Sequence, residues 1–136
     1  YRDTGKMIAT YDTTGVRRKV EMALKDYSED GGPMGDALYS YVDRLDTSGE
    51  FRFVARTDLH KNSSKAELFV TGTRWNASGA GRGDAVVTGG DLPSGIKVQL
   101  TECWNAGFAR VFYTDNTSSS STEGNPAACV FNTPLK

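Results

Sequence analysis

Two short segments place an aspartate beside hydroxyl residues and a glycine, a combination that can serve acid hydrolysis. They are Asp12-Thr13-Thr14-Gly15 and Asp46-Thr47-Ser48-Gly49. An aspartic protease uses two carboxylates that share one proton, each held in a tight turn of Asp, Thr or Ser, and Gly. Here an extra residue separates each first threonine from its glycine, which moves the glycine out of that turn. A small acid hydrolase that uses Asp12 and Asp46 is therefore kept only as the second alternative.

The same segments fit three-residue β-hairpin loops. In such loops a type I turn is followed by a left-handed residue, usually glycine, because glycine has no Cβ to strain that backbone. Asn105-Ala106-Gly107 fits the pattern as well. We therefore predict hairpin turns at Gly15, Gly49 and Gly107.

These loops fix strand registers that pair apolar residues with apolar residues, which a one-residue slip would destroy. In the first hairpin Ile8 meets Val20. In the middle hairpin Leu45 lies opposite Phe51. In the last hairpin Trp104 lies opposite Phe108.

The last register also sets Glu102 directly opposite Arg110, and each of them interrupts an apolar face. Removing one partner of a buried ion pair typically costs about 3–5 kcal/mol, so we expect the two charges to be buried together as a pair. The pair is either a structural cross-strand contact or a polar anchor at the floor of an apolar ligand pocket.

Alternation of apolar and polar residues with a period of two dominates the chain. Residues 51–56, for example, place Phe51, Phe53 and Ala55 on one face. Residues 16–27 fit a helical stripe as well as a strand, and the preceding hairpin turn favours the strand. We predict one all-β domain over residues 1–136: an antiparallel meander of about eight strands that closes into a barrel or a strongly curved sheet.

A curved sheet would shelter an apolar face, which makes a carrier of an apolar or lipid-like ligand the first alternative function. The side chains expected to line that face are aromatic or aliphatic: Phe51, Phe53, Ile96, Leu100, Trp104, Phe108 and Phe112.

Cys103 and Cys129 are the only two cysteines. A disulfide between them would fasten the last segment to a central strand across residues 117–124, which we expect to form a mobile surface loop, and would be worth about 3 kcal/mol. It would also indicate an oxidising compartment. Two unpaired buried thiols are the alternative. A zinc site is disfavoured, because His60 is the only histidine and neither cysteine belongs to a CxxC pair, and we predict no metal and no other cofactor.

Charge and hydropathy exclude further classes. Lys and Arg number 16 against 17 Asp and Glu, so the chain lacks the basic excess of a nucleic-acid or anionic-membrane binder. No apolar run is long enough for a transmembrane helix. The chain begins with Tyr1, which we interpret as the start of a matured or trimmed product.

Two kinds of short motif in the chain occur often by chance. Arg82-Gly83-Asp84 matches a tripeptide that some adhesion receptors bind. Asn62, Asn76 and Asn116 each begin an N-glycosylation pattern in a predicted loop, relevant only where the source glycosylates secreted proteins. No function is assigned to either kind.

Three segments of the C-terminal half resemble small secreted or lipid-anchored β-domains of bacteria. They are Arg74-Trp75, Gly89-Gly90-Asp91-Leu92 and Glu102-Cys103-Trp104. The resemblance implies export from the cytosol and supports the Cys103–Cys129 link. It carries no activity.

These observations predict a non-enzymatic module that is secreted, periplasmic or on the cell surface. Its expected role is structural or binding, with a protein partner or self-association. The apolar carrier and the acid hydrolase remain the alternatives.

Overall fold

A computed structural model describes residues 4–10, 15–27, 35–58 and 65–136. They form one antiparallel sheet of nine strands, in which each strand pairs with the next along the chain. The strands are β1 (Thr4–Thr10), β2 (Val16–Tyr27), β3 (Gly35–Arg44), β4 (Gly49–Thr57), β5 (Glu67–Trp75), β6 (Gly81–Gly89), β7 (Lys97–Trp104), β8 (Arg110–Asp115) and β9 (Thr122–Gly124). A single turn of 3-10 helix follows at Pro126–Ala128. No helix in the described parts of the chain is long and apolar enough to cross a membrane.

The all-β meander is confirmed, and so is the strand over residues 16–27, but the predicted closure is wrong. The sheet is neither a barrel nor strongly curled, and β1 and β9 lie at opposite ends of the strand order. Closure would need a long pairing between these edges, and β9 has only three residues. β9 is also the strand beyond the predicted count: it pairs with β8 inside the stretch 117–124 that was expected to be a mobile loop.

The hairpin loops after β3, β5 and β7 share one geometry. In each loop, the amide of the first residue donates to the carbonyl of the fifth, and the amide of the fourth donates to the carbonyl of the first. The fourth residue is left-handed in every case. These residues are Thr47, Gly79 and Phe108, with φ of 70°, 87° and 60°.

The predicted loop type is therefore present, and Gly107 lies within its hairpin turn, but neither Gly49 nor Gly107 is the left-handed residue. Thr47 and Phe108 are the left-handed residues, and Gly49 begins β4. The β3–β4 register consequently places Tyr41 opposite Phe51. Because this shift from the expected register is an even number of residues, the faces of both strands stay as predicted.

The first hairpin differs from its prediction by one residue. Ile8 lies opposite Glu21, and Val20 lies opposite Ala9. Ile8 therefore projects to the face opposite Val20. Gly15 has a φ of 106°, and residues 11–14 of its turn lie outside the described residues.

Two tryptophans explain where the glycines lie. Gly49 lies opposite Trp75 and Gly81 lies opposite Trp104 on the neighbouring strand. A Cβ built on Gly49 would come within 2.3 Å of the Trp75 ring, and one on Gly81 within 2.2 Å of the Trp104 ring. Each glycine thus provides the space in which an indole lies flat against the backbone.

Each indole also bonds to the turn of the preceding hairpin. Trp75 Nε1 donates to the carbonyl of Thr47 at 3.0 Å, and Trp104 Nε1 donates to the carbonyl of Gly79 at 2.8 Å. In both cases the acceptor belongs to the left-handed residue. We call each tryptophan, with its glycine and its turn carbonyl, an indole bridge. The two bridges join three successive hairpins.

On the strands that flank the two indole bridges, ion-paired residues stand where a bridge would have its tryptophan or its glycine. Asp43 stands at the tryptophan position of β3 and accepts from Arg18 Nε at 3.1 Å. Arg110 stands at the glycine position of β8 and pairs with Glu123 at 2.7 Å. The bridges are therefore confined to the middle of the sheet.

The predicted Cys103–Cys129 disulfide is present. Cys103 is fully buried and Cys129 nearly so. The bond fixes residues 125–136, which we call the C-terminal strap, to strand β7.

Beyond the disulfide, the strap crosses β6 and β5. Arg82 Nη1 donates to the carbonyl of Phe131 at 3.2 Å, and an Nη2 hydrogen of Arg74 bonds the carbonyl of Thr133. The Arg74 guanidinium also lies 4.3 Å from the centre of the Phe131 ring. Leu135 then covers Gly72, with 3.1 Å between its Cβ and a Cβ built on that glycine. The strap therefore covers one face of the sheet over β5 to β7.

The indole bridges predict different effects for two glycines on β6. Gly81→Ala should lower the free energy of unfolding by about 1–3 kcal/mol, because the new methyl overlaps the Trp104 ring and a backbone oxygen. Gly83→Ala, two residues further along the same face, is the matched control: its Cβ lies 3.3 Å from the Thr73 hydroxyl and at an ordinary contact distance of 3.8 Å from the Trp104 ring, and should cost well under about 1 kcal/mol. Urea denaturation measures both. Equal losses would contradict the bridge.

The disulfide predicts a reductant-sensitive stability. Closing the loop between Cys103 and Cys129, whose sequence separation is 26, is worth about 3–4 kcal/mol in the chain-entropy model. Full reduction should therefore lower Tm of the wild type. A Cys103→Ala/Cys129→Ala variant should show the lowered Tm without reductant and no further change with it. A reduced wild type that melts at its oxidised temperature would contradict the prediction.

Candidate interaction face

The strap leaves the opposite side of the sheet without a covering layer in the described residues. We call that side the open face; its members on β3 to β6 are fixed by the strand registers. Most are aromatic, aliphatic or small: Ala37, Tyr39, Tyr41, Gly49, Phe51, Phe53, Ala55, Phe69, Thr71, Thr73, Trp75, Gly81, Gly83, Ala85 and Val87.

Aromatic rings contact each other across the strands of this face. Tyr39 and Phe51 lie edge to face with 5.1 Å between ring centres. Two further pairs, Tyr41–Trp75 and Phe53–Phe69, have centres 6.1 and 6.2 Å apart. Such pairs add about 0.5–1.5 kcal/mol each beyond the area they bury. They bind neighbouring strands side by side and leave the outer surfaces of the rings accessible.

Burial confirms that the sheet is one layer thick. The buried apolar residues of the described chain are small or disulfide-bonded: Ala37, Val42, Ala55, Ala80, Cys103 and Cys129. Large aromatic side chains normally dominate a protein core. Here they remain partly exposed, because no second sheet or helix among the described residues packs on them.

The middle of the open face is also free of exposed charge. On β3 to β6 its described charged residues are Asp43 and Glu67, which are 8% and 0% exposed. Asp43 is paired with Arg18, whose guanidinium lies 5.6 Å from the centre of the Tyr41 ring. Glu67 Oε1 accepts from the amide of Asp91 at 3.1 Å. Both carboxylates are engaged below the surface that a partner would touch.

The expected Glu102–Arg110 pair is not formed as predicted. A register shift between β7 and β8 places Glu102 opposite Tyr113 and Arg110 opposite Trp104. Arg110 bonds Glu123 instead, and its side chain is 46% exposed. Two features move the register: the loop ends at the left-handed Phe108 instead of Gly107, and a β-bulge between Cys103 and Trp104 adds one more residue on β8.

The β8 margin of the open face is acidic and held by hydrogen bonds. Asp115 accepts from Thr117 through both the hydroxyl, at 2.6 Å, and the amide, at 2.9 Å. These bonds lower the pKa of Asp115 to about 2. A hydrogen bond with Asp115 raises the pKa of Tyr113 above its usual value. The carboxylate therefore stays charged over all physiological conditions.

The Asp46 carboxylate of the second Asp-Thr-Ser-Gly segment closes its own turn. Asp46 Oδ1 accepts from the amide of Ser48 at 2.9 Å and from its hydroxyl at 2.6 Å. The Ser48 hydroxyl and amide lower the pKa of Asp46. Asp12, its expected partner in the hydrolase hypothesis, lies outside the described residues, as does His60.

The Arg82-Gly83-Asp84 tripeptide lies in β6, and its charged side chains bind each other. Arg82 Nε and Nη2 each donate to Asp84 at 2.8 Å, and Thr101 Oγ1 donates to the same carboxylate at 2.7 Å. The pair is mostly buried beneath the strap. These contacts occupy the groups that an adhesion receptor would bind.

The seven residues of the expected apolar ligand face do not come together as one surface. Phe51, Phe53, Leu100 and Trp104 share the open face by register, and Phe112 lies on the other side, opposite Cys103. Ile96 precedes β7 and is 54% exposed, and Phe108 lies in a turn and is 76% exposed. The open sheet also lacks the curved wall that would enclose a ligand.

A shallow groove of about 420 Å³ runs along the hairpin turns beside the open face. Trp75, Trp104 and Phe108 line it, and the Phe108 ring lies next to Gly79. The groove extends the aromatic surface of the open face to the edge of the sheet.

Other sites are limited. Within the described residues, no three His, Cys, Asp or Glu side chains come together to hold a metal ion. Asn76 begins a hairpin loop, and its Oδ1 accepts from Ser78. The Asn116 side chain bonds the backbone of Gln99 and Lys97 in place of a strand partner. Asn62 lies outside the described residues.

Comparisons with known proteins add no relative. No family model, no curated protein and no solved structure matches this chain. Any assignment therefore depends on the geometry of the open face.

Sequence reasoning missed the indole bridges, although a signal was present. Trp75-Asn76-Ala77 recurs as Trp104-Asn105-Ala106, in each case at the end of a strand. A glycine follows the first motif at Gly81. The repeat marks two equivalent hairpins, which hydrophobic alternation alone does not distinguish from any others.

The low pKa of Asp115 predicts a specific acid response. Because folding depresses this pKa from 3.8 to about 2, its stabilising contribution is complete above about pH 4 and is lost as pH falls through about 2. Carboxyl-detected NMR titration should give Asp115 a midpoint near 2. Asp115→Asn should reduce the fall in urea midpoint between pH 4 and pH 2. A midpoint at or above 3.8 would contradict the hydrogen-bonded geometry.

Proposed function

We propose that this chain is a non-enzymatic structural and binding module that acts outside the cytosol. The observation that carries the proposal is the uncovered aromatic face of a one-layer sheet. Protein domains bury the apolar side of a sheet against a second layer. An exposed apolar patch of this kind is typical of an interaction site.

The disulfide supports the proposed location. A buried Cys103–Cys129 bond that fixes the strap requires an oxidising environment to form. Periplasm, cell surface and exterior all provide one. Export is also what the resemblance to secreted or lipid-anchored bacterial β-domains implies.

The contacts of the charged residues favour a structural role over a catalytic one. Asp46 closes a turn, Asp43 neutralises Arg18, and Asp84 neutralises Arg82. Each carboxylate has a partner that explains its presence in the fold. The carrier alternative depended on an enclosed apolar face, and the sheet is open.

In-cell cross-linking tests the proposal. p-Benzoylphenylalanine at position 53, on the open face, should form discrete covalent adducts in the organism that makes the protein. The same residue at position 54, its neighbour on the opposite face, is the matched control and should form few. Adducts in equal yield from both positions, or none from position 53, would contradict the proposal.

A further inference from the structure

We propose that the partner of the open face is a second copy of this chain, packed face to face about a two-fold axis that runs along β5. This inference deepens the proposed function and rests on it. Two features of the open face support this occupant: its area and its pattern of large and small residues.

The area suits an obligate homodimer. The accessible surface of the chain is 8570 Å², whereas a compact monomer of 14.7 kDa exposes about 6,900 Å². Covering the difference on each of two copies would bury about 3,300 Å² in total. Obligate homodimers bury about 2,000–5,000 Å².

Large and small residues lie symmetrically about β5. On one side, β4 presents Phe51 and Phe53 to the open face; on the other side, β6 presents Gly83 and Ala85. A two-fold axis along β5 lays β4 of one copy over β6 of the other. On this pair of strands, large side chains of each copy then face small ones of its mate, which is the pattern by which packed layers interdigitate.

The lateral alternative, in which copies extend the sheet edge to edge, has less support. β9 is three residues long, and the indole bridges that join hairpins end at Asp43 and Arg110. Short edge strands and charged ends are features that oppose edge pairing. Face-to-face packing uses the surface that the fold leaves uncovered.

Light scattering of the purified chain over a micromolar concentration range provides the first test. The wild type should be a dimer. Tyr39→Lys adds a charge to the open face at two symmetric places and should raise the dimer Kd on the order of 100-fold or more. Leu38→Lys, the adjacent exposed residue on the other face, should leave Kd within about threefold.

A second variant keeps the test valid if Tyr39→Lys unfolds. Thr71 lies near the proposed axis, at the middle of β5, so Thr71→Cys should join to its own mate through a short bismaleimide. Val70→Cys, on the opposite face, should not. Facing sheets lie about 10 Å apart, within reach of such a reagent.

The outcomes separate this inference from the proposed function. A monomeric wild type, or a dimer that Tyr39→Lys and Leu38→Lys affect equally, overturns the second copy as partner. If the chain is monomeric but position 53 still cross-links in cells to another macromolecule, the proposed function stands and this inference fails. If neither occurs, both fail.

Discussion

The contact between an indole ring and the bare backbone of a glycine determines how this sheet is assembled. Trp75 over Gly49 and Trp104 over Gly81 each combine a flat apolar contact with a hydrogen bond to a turn carbonyl. A two-stranded hairpin is marginally stable in water by itself. Here each central hairpin is held by a side chain of the next one, so that the strands form one unit although the described residues provide no second layer.

This way of holding strands together has a consequence for function. Stabilisation comes from neighbours within the layer, from paired aromatic rings and from a disulfide-bonded strap on one side. Among the described residues, the opposite side is left apolar, nearly free of exposed charge at its centre, and partly accessible. The strands of such a layer hold together by themselves, but one apolar face remains uncovered. Binding of a partner, rather than of a small molecule, is therefore the function that the geometry supports best.

The sequence predicted the strands well and the hairpin turns poorly, for an identifiable reason. Period-two alternation reports which face a side chain occupies, so β2 and the faces of β3 and β4 followed from it. Glycine has two uses that alternation cannot separate: it adopts left-handed turns, as Gly79 does, or it leaves room for a ring, as Gly49 does. Because Gly49 was assigned to a left-handed turn, the predicted register between β3 and β4 was wrong by four residues. Whether the sheet is open or closed depends on whether its edge strands, β1 and β9, pair with each other. The local alternation of apolar and polar residues carries no information on that pairing.

A double-mutant cycle on Trp104 and Gly81 tests the indole bridge most directly. Trp104→Ala, Gly81→Ala and the double variant would be compared with the wild type by urea denaturation. If the ring lies on the glycine, the alanine methyl costs less once the ring is gone, and the coupling should be about 1 kcal/mol or more. Additivity within about 0.3–0.5 kcal/mol would show that ring and glycine do not interact, and the account of the sheet would be wrong.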